Sequence, residues 1–134
     1  MTNEELVKKA LSARQQAYAP YSGYAVGAAL LSTDGEVFTG CNVESASYSA
    51  TICAERVALV NAVSGGKRHF SKLAVAGPGS AYCTPCGICR QMLHEFSKEL
   101  VLLCANEHGQ YTTHTLAELL PFAFGAEAIP DEKI

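Results

Sequence analysis

Two short motifs in the sequence contain residue types that could bind a catalytic metal ion. They are Cys53-Ala54-Glu55 and Pro85-Cys86-Gly87-Ile88-Cys89. Three cysteine thiolates can bind one zinc ion and leave its fourth position open. A carboxylate two residues after the first cysteine could then move protons at that position, as a zinc hydrolase requires. A purely structural zinc site would need neither the open position nor the acid.

The residues next to these cysteines suggest how the charge of such a site would be balanced. Three thiolates and Zn²⁺ carry one net negative charge, which weakens the ion as a Lewis acid. We expect Arg56 to donate hydrogen bonds to the sulfurs, with Arg90 as the alternative, although a solvated helix position would equally explain Arg90. Glu55 alone could be a first-turn acid that complements the helix dipole. Its place between Cys53 and Arg56 favours the proton-transfer role.

Cys83 leaves two other interpretations of the cysteines open. It could close a four-cysteine zinc site, although Thr84-Pro85 stiffens the chain before Cys86 and Glu55 would then have no purpose. Alternatively, Cys83 and Cys86, or Cys86 and Cys89, could form a redox pair, which leaves Cys53-Ala-Glu55 unexplained. The remaining two cysteines, Cys41 and Cys104, lie in apolar segments and are expected to be buried thiols. We assign no role to the four histidines.

The length and composition indicate one globular domain over 1–134, which would carry the catalytic motifs. The chain has 134 residues, of which 49% are apolar and 17% charged, enough for a single domain with its own core. Ten scattered Lys and Arg and a net charge of -3 argue against nucleic-acid binding, so a base substrate would be a free nucleoside. The apolar runs are too short to span a membrane, and the N-terminus lacks the pattern of a signal peptide. We therefore expect a cytoplasmic protein.

The predicted elements follow the order α-β-β-α-β-α-β-β-α. A capping box at Thr2 opens the first helix, which Pro20 ends. The other predicted elements are strands over 25–32 and 36–42, a helix over 53–63, a strand over 70–76, a helix over 86–97, strands over 100–105 and 110–114, and a short helix between Thr115 and Pro121. The connection over 106–109 is too short for a crossover, so the last two strands must be antiparallel. The order predicts a three-layer α/β/α fold around a five-stranded mixed sheet.

The sequence resembles the zinc-dependent cytidine deaminases of the small, single-domain type over nearly its whole length. The segments that carry the resemblance are Tyr18-Ala19-Pro20-Tyr21-Ser22, Val26 to Leu30, Gly40 to Glu44, Tyr48, Cys53 to Arg56, Pro85 to Gln91, and Leu119-Leu120-Pro121 with Phe124. The resemblance implies hydrolytic deamination of cytidine and 2′-deoxycytidine to uridine and 2′-deoxyuridine plus ammonia, in pyrimidine salvage. It implies one Zn²⁺ per subunit bound by Cys53, Cys86 and Cys89. Zinc-bound hydroxide would attack C4, with Glu55 as the proton shuttle.

The resemblance also implies a set of substrate contacts. Asn42 and Glu44 would bind the ribose hydroxyls, and with Tyr48 they favour a ribosyl substrate over a related aminopyrimidine. The backbone N–H of Ala54 would hold the pyrimidine edge. The family forms homotetramers with shared active sites, so Phe124 is expected to reach the site of a neighbouring subunit.

Two positions depart from the family pattern. Tyr24 occupies the position of the ring that stacks on the base, where the family more often has phenylalanine. The ring can still stack, a contact worth roughly 1–3 kcal/mol per base, but its hydroxyl needs a partner or water. Ser45 stands where asparagine is common, which alters the surroundings of the ribose pocket.

Overall fold

The computed structural model describes residues 1–131, and their helices and strands follow the predicted order. The helices are α1 (Asn3–Arg14), α2 (Ala54–Ser64), α3 (Gly87–Phe96) and the short α4 (Leu116–Leu119). The strands are β1 (Gly27–Ser32), β2 (Val37–Cys41), β3 (Phe70–Ala76), β4 (Val101–Ala105) and β5 (Tyr111–Thr115). Single turns of 3-10 helix lie at Tyr48–Ala50 and Ala126–Ala128. Most boundaries differ from the predicted ones by only one or two residues.

The five strands form one mixed sheet in the order β2-β1-β3-β4-β5. β1 is antiparallel to both β2 and β3, whereas β3 and β4 are parallel and β4 and β5 antiparallel. The five-stranded mixed sheet and its antiparallel last pair confirm the sequence prediction. Because of this topology, the start of β1 and the ends of β2, β3 and β4 meet at one edge of the sheet, where Gly27 pairs with both Cys41 and Ala76, and Ala76 with Ala105.

Helices cover both faces of the sheet, which gives the predicted three layers. On one face α1 buries Leu6, Val7 and Ala10 against small residues of β1, β3 and β4. On the other face α2 and α3 bury Leu59 and Leu93 against a second apolar cluster. α2 approaches β2 closely because Gly40 has no side chain: a Cβ there would lie 2.5 Å from the backbone nitrogen of Ala58.

The prediction that α1 continues to Pro20 is wrong, because the helix ends at Arg14. The backbone N–H groups of residues 15–17 turn back onto carbonyls three residues earlier, and Tyr18 then forms an isolated bridge with Val43. Arg14 donates from Nε to the carbonyl of Ala25 at 2.7 Å, which fixes the returning chain. Ala17 matches the helical spacing, but long-range pairing to the segment after β2 overrides that local pattern.

Over residues 1–131, we find no helix with the length and apolar character needed to cross a membrane.

Candidate active site

The three predicted ligand cysteines come together at the N-termini of α2 and α3. Cys53 caps α2 and Cys86 caps α3, while Cys89 lies in the first turn of α3. Their three sulfurs lie within 4.8 Å of one another, and the Sγ atoms of Cys53 and Cys86 are 3.8 Å apart. The sheet places the two helices side by side on one face, so residues 33 positions apart in sequence share one centre.

The geometry and chemistry of this cluster fit a zinc ion. A tetrahedron with Zn–S bonds of about 2.3 Å has sulfur–sulfur edges of about 3.8 Å, which matches the distance between Cys53 and Cys86. Neither helix N-terminus has a side-chain cap, so the helix dipoles and free N–H groups favour thiolates there. Cys89 is buried, Cys53 half-buried and Cys86 exposed. The cluster therefore has a closed side in the core and an open side toward solvent.

Arg56 contributes positive charge to the cluster. Its Nη2 lies 3.8 Å from the Sγ of Cys53 and 3.4 Å from the carbonyl oxygen of Thr51. The Cys89 thiol, which donates to the Cys53 sulfur, and then Arg56 lower the pKa of Cys53 to about 5. The pKa of Cys89 is raised, first because its proton is held between the two sulfurs and second because it is buried. Thiolate character is thus available at Cys53 near neutral pH.

Glu55 lies in the first turn of α2 with only 4% of its surface exposed. Burial raises the pKa of its carboxyl to about 7, since removal from water disfavours the ionised form. A carboxyl with a pKa near neutrality can both accept and return a proton within one reaction cycle. Its burial next to Cys53 therefore suits proton transfer better than the role of a solvated first-turn acid.

A pocket of about 460 Å³ opens beside the cluster. Its lining includes Cys53, Ala54, Glu55 and Cys86 of the cluster region, together with Tyr24, Asn42 and Glu44. The volume lies in the range of small-molecule sites. The pocket brings two of the three ligand cysteines, the acid and four of the predicted substrate contacts to one place, at the sheet edge where β1 begins and β2 ends.

Asn42 and Glu44 also hold the segment that carries Tyr24, a role that the sequence did not indicate. The side-chain amide of Asn42 donates to the carbonyl of Tyr24 at 2.8 Å, and its oxygen accepts from the N–H of Val26 at 2.9 Å. Glu44 accepts from the N–H groups of Tyr21 and Ser22 at 3.0 and 3.1 Å and from the Ser22 hydroxyl. Oδ1 of Asn42 and Oε2 of Glu44 each accept one of these hydrogen bonds and keep lone-pair capacity for a further donor. Ser22 itself gave no sequence signal of a role.

Tyr48 and Phe124 do not line this pocket. Tyr48 is 73% exposed and lies in an adjoining pocket of about 370 Å³, where its ring centroid is 5.9 Å from that of Tyr21. Phe124 is 62% exposed, and its carbonyl accepts from the Gln91 side chain at 2.7 Å. Both rings are therefore on the surface of the chain and not in the cluster pocket.

The structure does not support the alternative roles of Cys83 and Arg90. Within residues 1–131, the cysteine cluster that could hold a metal consists of Cys53, Cys86 and Cys89 without Cys83. Cys83 is also buried, which raises the pKa of its thiol to about 12. Arg90 reaches no sulfur and is not simply solvated: it donates to the carbonyls of Pro85 and Leu119, both at 2.7 Å. It fastens the loop before Cys86 to the end of α4.

An open three-sulfur centre with a buried carboxylate, on two helices over a mixed sheet, is typical of zinc hydrolases that act on nucleobases. Residues 1–105 match the model of the cytidine and deoxycytidylate deaminase zinc-binding region. The cytidine deaminase of Sporosarcina psychrophila is 45% identical over 128 residues, which cover 95% of this chain and 94% of that protein. The cytidine deaminase of Halalkalibacterium halodurans is 44% identical over 132 residues, 98% of this chain and 100% of that protein.

Solved structures of cytidine deaminases have the same fold as this chain. The crystal structure of cytidine deaminase from Burkholderia pseudomallei matches with a TM-score of 0.89 and 46% identity, covering 92% of this chain and 100% of that one. The chain therefore belongs to the cytidine deaminase family. It is an enzyme, a hydrolase that acts on carbon–nitrogen bonds of cyclic amidines.

Proposed function

We propose that this enzyme hydrolyses cytidine and 2′-deoxycytidine to uridine and 2′-deoxyuridine, with release of ammonia, in pyrimidine salvage. The observation that carries the proposal is the buried carboxyl of Glu55 beside three sulfurs whose open side faces a pocket of about 460 Å³. The names of the relatives and the match to a zinc-binding region agree with this assignment.

One zinc ion per subunit, held by Cys53, Cys86 and Cys89, would act as a Lewis acid that makes water a better nucleophile. The rest of the reaction depends on Glu55. Its carboxylate accepts a proton from the attacking water and delivers it to N3 of the base as the oxygen bonds to C4. It then accepts the second water proton and passes it to the amino group, which leaves as ammonia when the C4–N4 bond breaks. One water is consumed and Glu55 returns to its initial state.

Four residues of the pocket lining bind the nucleoside in this proposal. The ring of Tyr24 stacks on the base, and the N–H of Ala54 binds the pyrimidine edge. Asn42 and Glu44 accept hydrogen bonds from the ribose hydroxyls. The support is that all four residues line one pocket with Glu55, and that the oxygens of Asn42 and Glu44 retain acceptor capacity. Tyr48 would contact the ribose end from the adjoining pocket.

We also infer a cytoplasmic homotetramer of one catalytic domain, residues 1–134, with shared sites. The side chain of Phe122 is fully exposed on a backbone with φ of 53°, an unfavourable arrangement for an aromatic residue in an isolated chain. Phe124 and Tyr48 are also exposed. Burial of these rings against other subunits would explain them, with Phe124 entering a neighbouring site. Six free cysteines suit a reducing compartment.

The test is an assay of ammonia and uridine release from cytidine by the purified protein, before and after zinc is removed and restored. We expect equimolar products that disappear with the zinc and return with it. If folded, zinc-loaded protein releases no ammonia from either cytidine or 2′-deoxycytidine, the substrate assignment is wrong. A related aminopyrimidine nucleoside would then be the next substrate to assay.

A further inference from the structure

The hydroxyl of Tyr24 occupies a niche at the edge of the sheet, beside Gly77 and Cys83. A Cβ built on Gly77 would lie 3.0 Å from the Tyr24 hydroxyl oxygen and 3.2 Å from the Cys83 sulfur. The missing side chain at residue 77 therefore leaves the space into which the hydroxyl points. The niche lies directly after β3, beside the pocket that holds Glu55.

The walls of the niche are fixed by the backbone. The N–H groups of Gly77 and Cys83 both donate to the carbonyl of Ala105 at the end of β4, at 3.4 and 3.1 Å. The buried side chain of Asn106 donates to the carbonyl of Ser80 at 3.1 Å and so ties down the loop between them. Cys83 is only 7% exposed. Its thiol is therefore held at a defined position relative to the sheet.

The Cys83 sulfur is the polar atom that shares the niche with the Tyr24 hydroxyl, since both lie within 3.2 Å of the Cβ position of Gly77. Burial raises the pKa of both groups, so the phenol remains a donor and the thiol remains neutral across the physiological pH range. A phenolic O–H is a better donor than a thiol, so in a hydrogen bond between the two groups the sulfur would be the acceptor. Such a bond would supply the partner that a partly buried tyrosine hydroxyl requires.

The backbone of Tyr24 is held at the other end of the side chain. Its carbonyl accepts from Asn42 at 2.8 Å, and its N–H donates to the Ser22 hydroxyl at 2.9 Å. With the hydroxyl in the niche beside Cys83, both ends of the tyrosine are confined while 47% of the residue stays exposed at the pocket. Such a ring loses little freedom when a flat base stacks on it.

We propose that Cys83 is a positioning residue for substrate binding: it holds the hydroxyl of Tyr24 so that the ring already has the orientation for stacking on the pyrimidine. This inference rests on the proposed stacking role of Tyr24. Stacking contributes to the ground state and to the transition state alike, so loss of the anchor should raise KM and leave kcat close to its original value.

The test is a double-mutant cycle with Tyr24→Phe and Cys83→Ala, measured as KM and kcat for cytidine. We expect each single variant to raise KM about 3- to 10-fold, the change in affinity expected from the loss of one neutral hydrogen bond. The double variant should be no worse than either single variant, because both remove the same interaction. Cys83→Ser, which keeps an acceptor, should restore most of the loss, and the matched control Cys41→Ala should leave KM unchanged.

Three results would overturn the proposal: additive effects in the double variant, an unchanged KM in Cys83→Ala, or a fall in bound zinc in that variant. The last would mean that Cys83 acts through the metal. A wrong substrate assignment would give a different result, since the parent protein would then release no ammonia from cytidine. A crystal structure would test the proposal in that case, because a Tyr24 hydroxyl beyond hydrogen-bonding reach of Cys83 would exclude a hydrogen bond between them.

Discussion

Arg56 and Cys53 lie one helical turn apart on α2, with Nη2 of the arginine 3.8 Å from the sulfur. The same nitrogen donates to the carbonyl of Thr51 at 3.4 Å, whereas Nε of Arg56 is buried and has no partner among the residues that the structure describes. A partly buried guanidinium is stabilised by nearby negative charge. The Cys53 thiolate supplies such charge, so Arg56 and the sulfur cluster stabilise each other.

Replacement of Arg56 by glutamine should therefore weaken metal binding. The variant keeps a polar side chain of similar length but loses the charge, and loss of such an outer partner typically costs about 10- to 100-fold in metal affinity or activity. Competition with a chromophoric chelator measures the zinc affinity directly. Arg68→Gln is a suitable control, because within residues 1–131 the hydrogen bonds of that arginine go to the carbonyls of Val63 and Lys67 and not to the cluster. Equal zinc retention in Arg56→Gln and the control would show that another group balances the thiolates.

Glu55→Gln separates proton transfer from metal binding. The amide fills the same space but cannot accept and return a proton, so we expect kcat to fall by about 10²- to 10⁴-fold with the zinc content unchanged. Burial already disfavours the charged form of Glu55, with a carboxyl pKa of about 7, so the neutral amide should not unfold the protein. Rate and zinc content measured on the same sample test this. Turnover near that of the parent would rule out Glu55 as the shuttle.

Local sequence patterns were sufficient for the elements and for the residues that meet at the cluster. Both cysteine motifs begin helices as predicted, because a proline, a cap position and apolar periodicity are all local signals. The end of α1 was not predictable in this way. Arg14 is the last helical residue because Tyr18 pairs with Val43, a contact between segments that the sequence does not relate.

Side-chain partners across the fold were the main part that the sequence left open. Nothing in the order of residues indicates that Arg90 donates to Leu119, or that the hydroxyl of Tyr24 lies beside Gly77. Both contacts depend on where the ends of different elements meet. The need of Tyr24 for a hydrogen-bond partner was predictable from its residue type, but the position of Cys83 beside it required the sheet topology.

Asn42→Ala should destabilise the protein as well as weaken substrate binding. Asn42 is 8% exposed, and its removal leaves the carbonyl of Tyr24 and the N–H of Val26 without their partner. An unpaired buried group costs about 1–3 kcal/mol. Urea unfolding of the metal-loaded protein should show this loss together with a higher KM. A raised KM with an unchanged free energy of unfolding would restrict Asn42 to contact with the ribose.

The acid stability of the protein should depend partly on Asp34, in the turn between β1 and β2. Lys67, 2.6 Å away, and then Ser32 lower the pKa of Asp34 to about 2 from an ordinary 3.8. Because the folded-state pKa is depressed, this stabilisation is complete above the unfolded-state value and is lost as the pH falls toward 2. The gap in urea midpoint between the parent and Asp34→Asn should be small, since the pair is exposed, and should narrow between pH 5 and pH 2.5. A gap independent of pH would contradict this linkage.

Gly77→Ala tests whether the Tyr24 hydroxyl occupies the space that the missing side chain of Gly77 leaves. The new Cβ would lie 3.0 Å from the Tyr24 hydroxyl and 3.1 Å from the Cβ of Cys83, closer than ordinary van der Waals contact. The hydroxyl is the more mobile neighbour, so we expect the Tyr24 ring to shift and KM for cytidine to rise by about 10-fold, a cost typical of small overpacking. In a Tyr24→Phe background the hydroxyl is already gone, and the same alanine should raise KM less. If the alanine has the same effect in both backgrounds, the strain falls on Cys83 and its loop, and the hydroxyl does not occupy the space that Gly77 leaves.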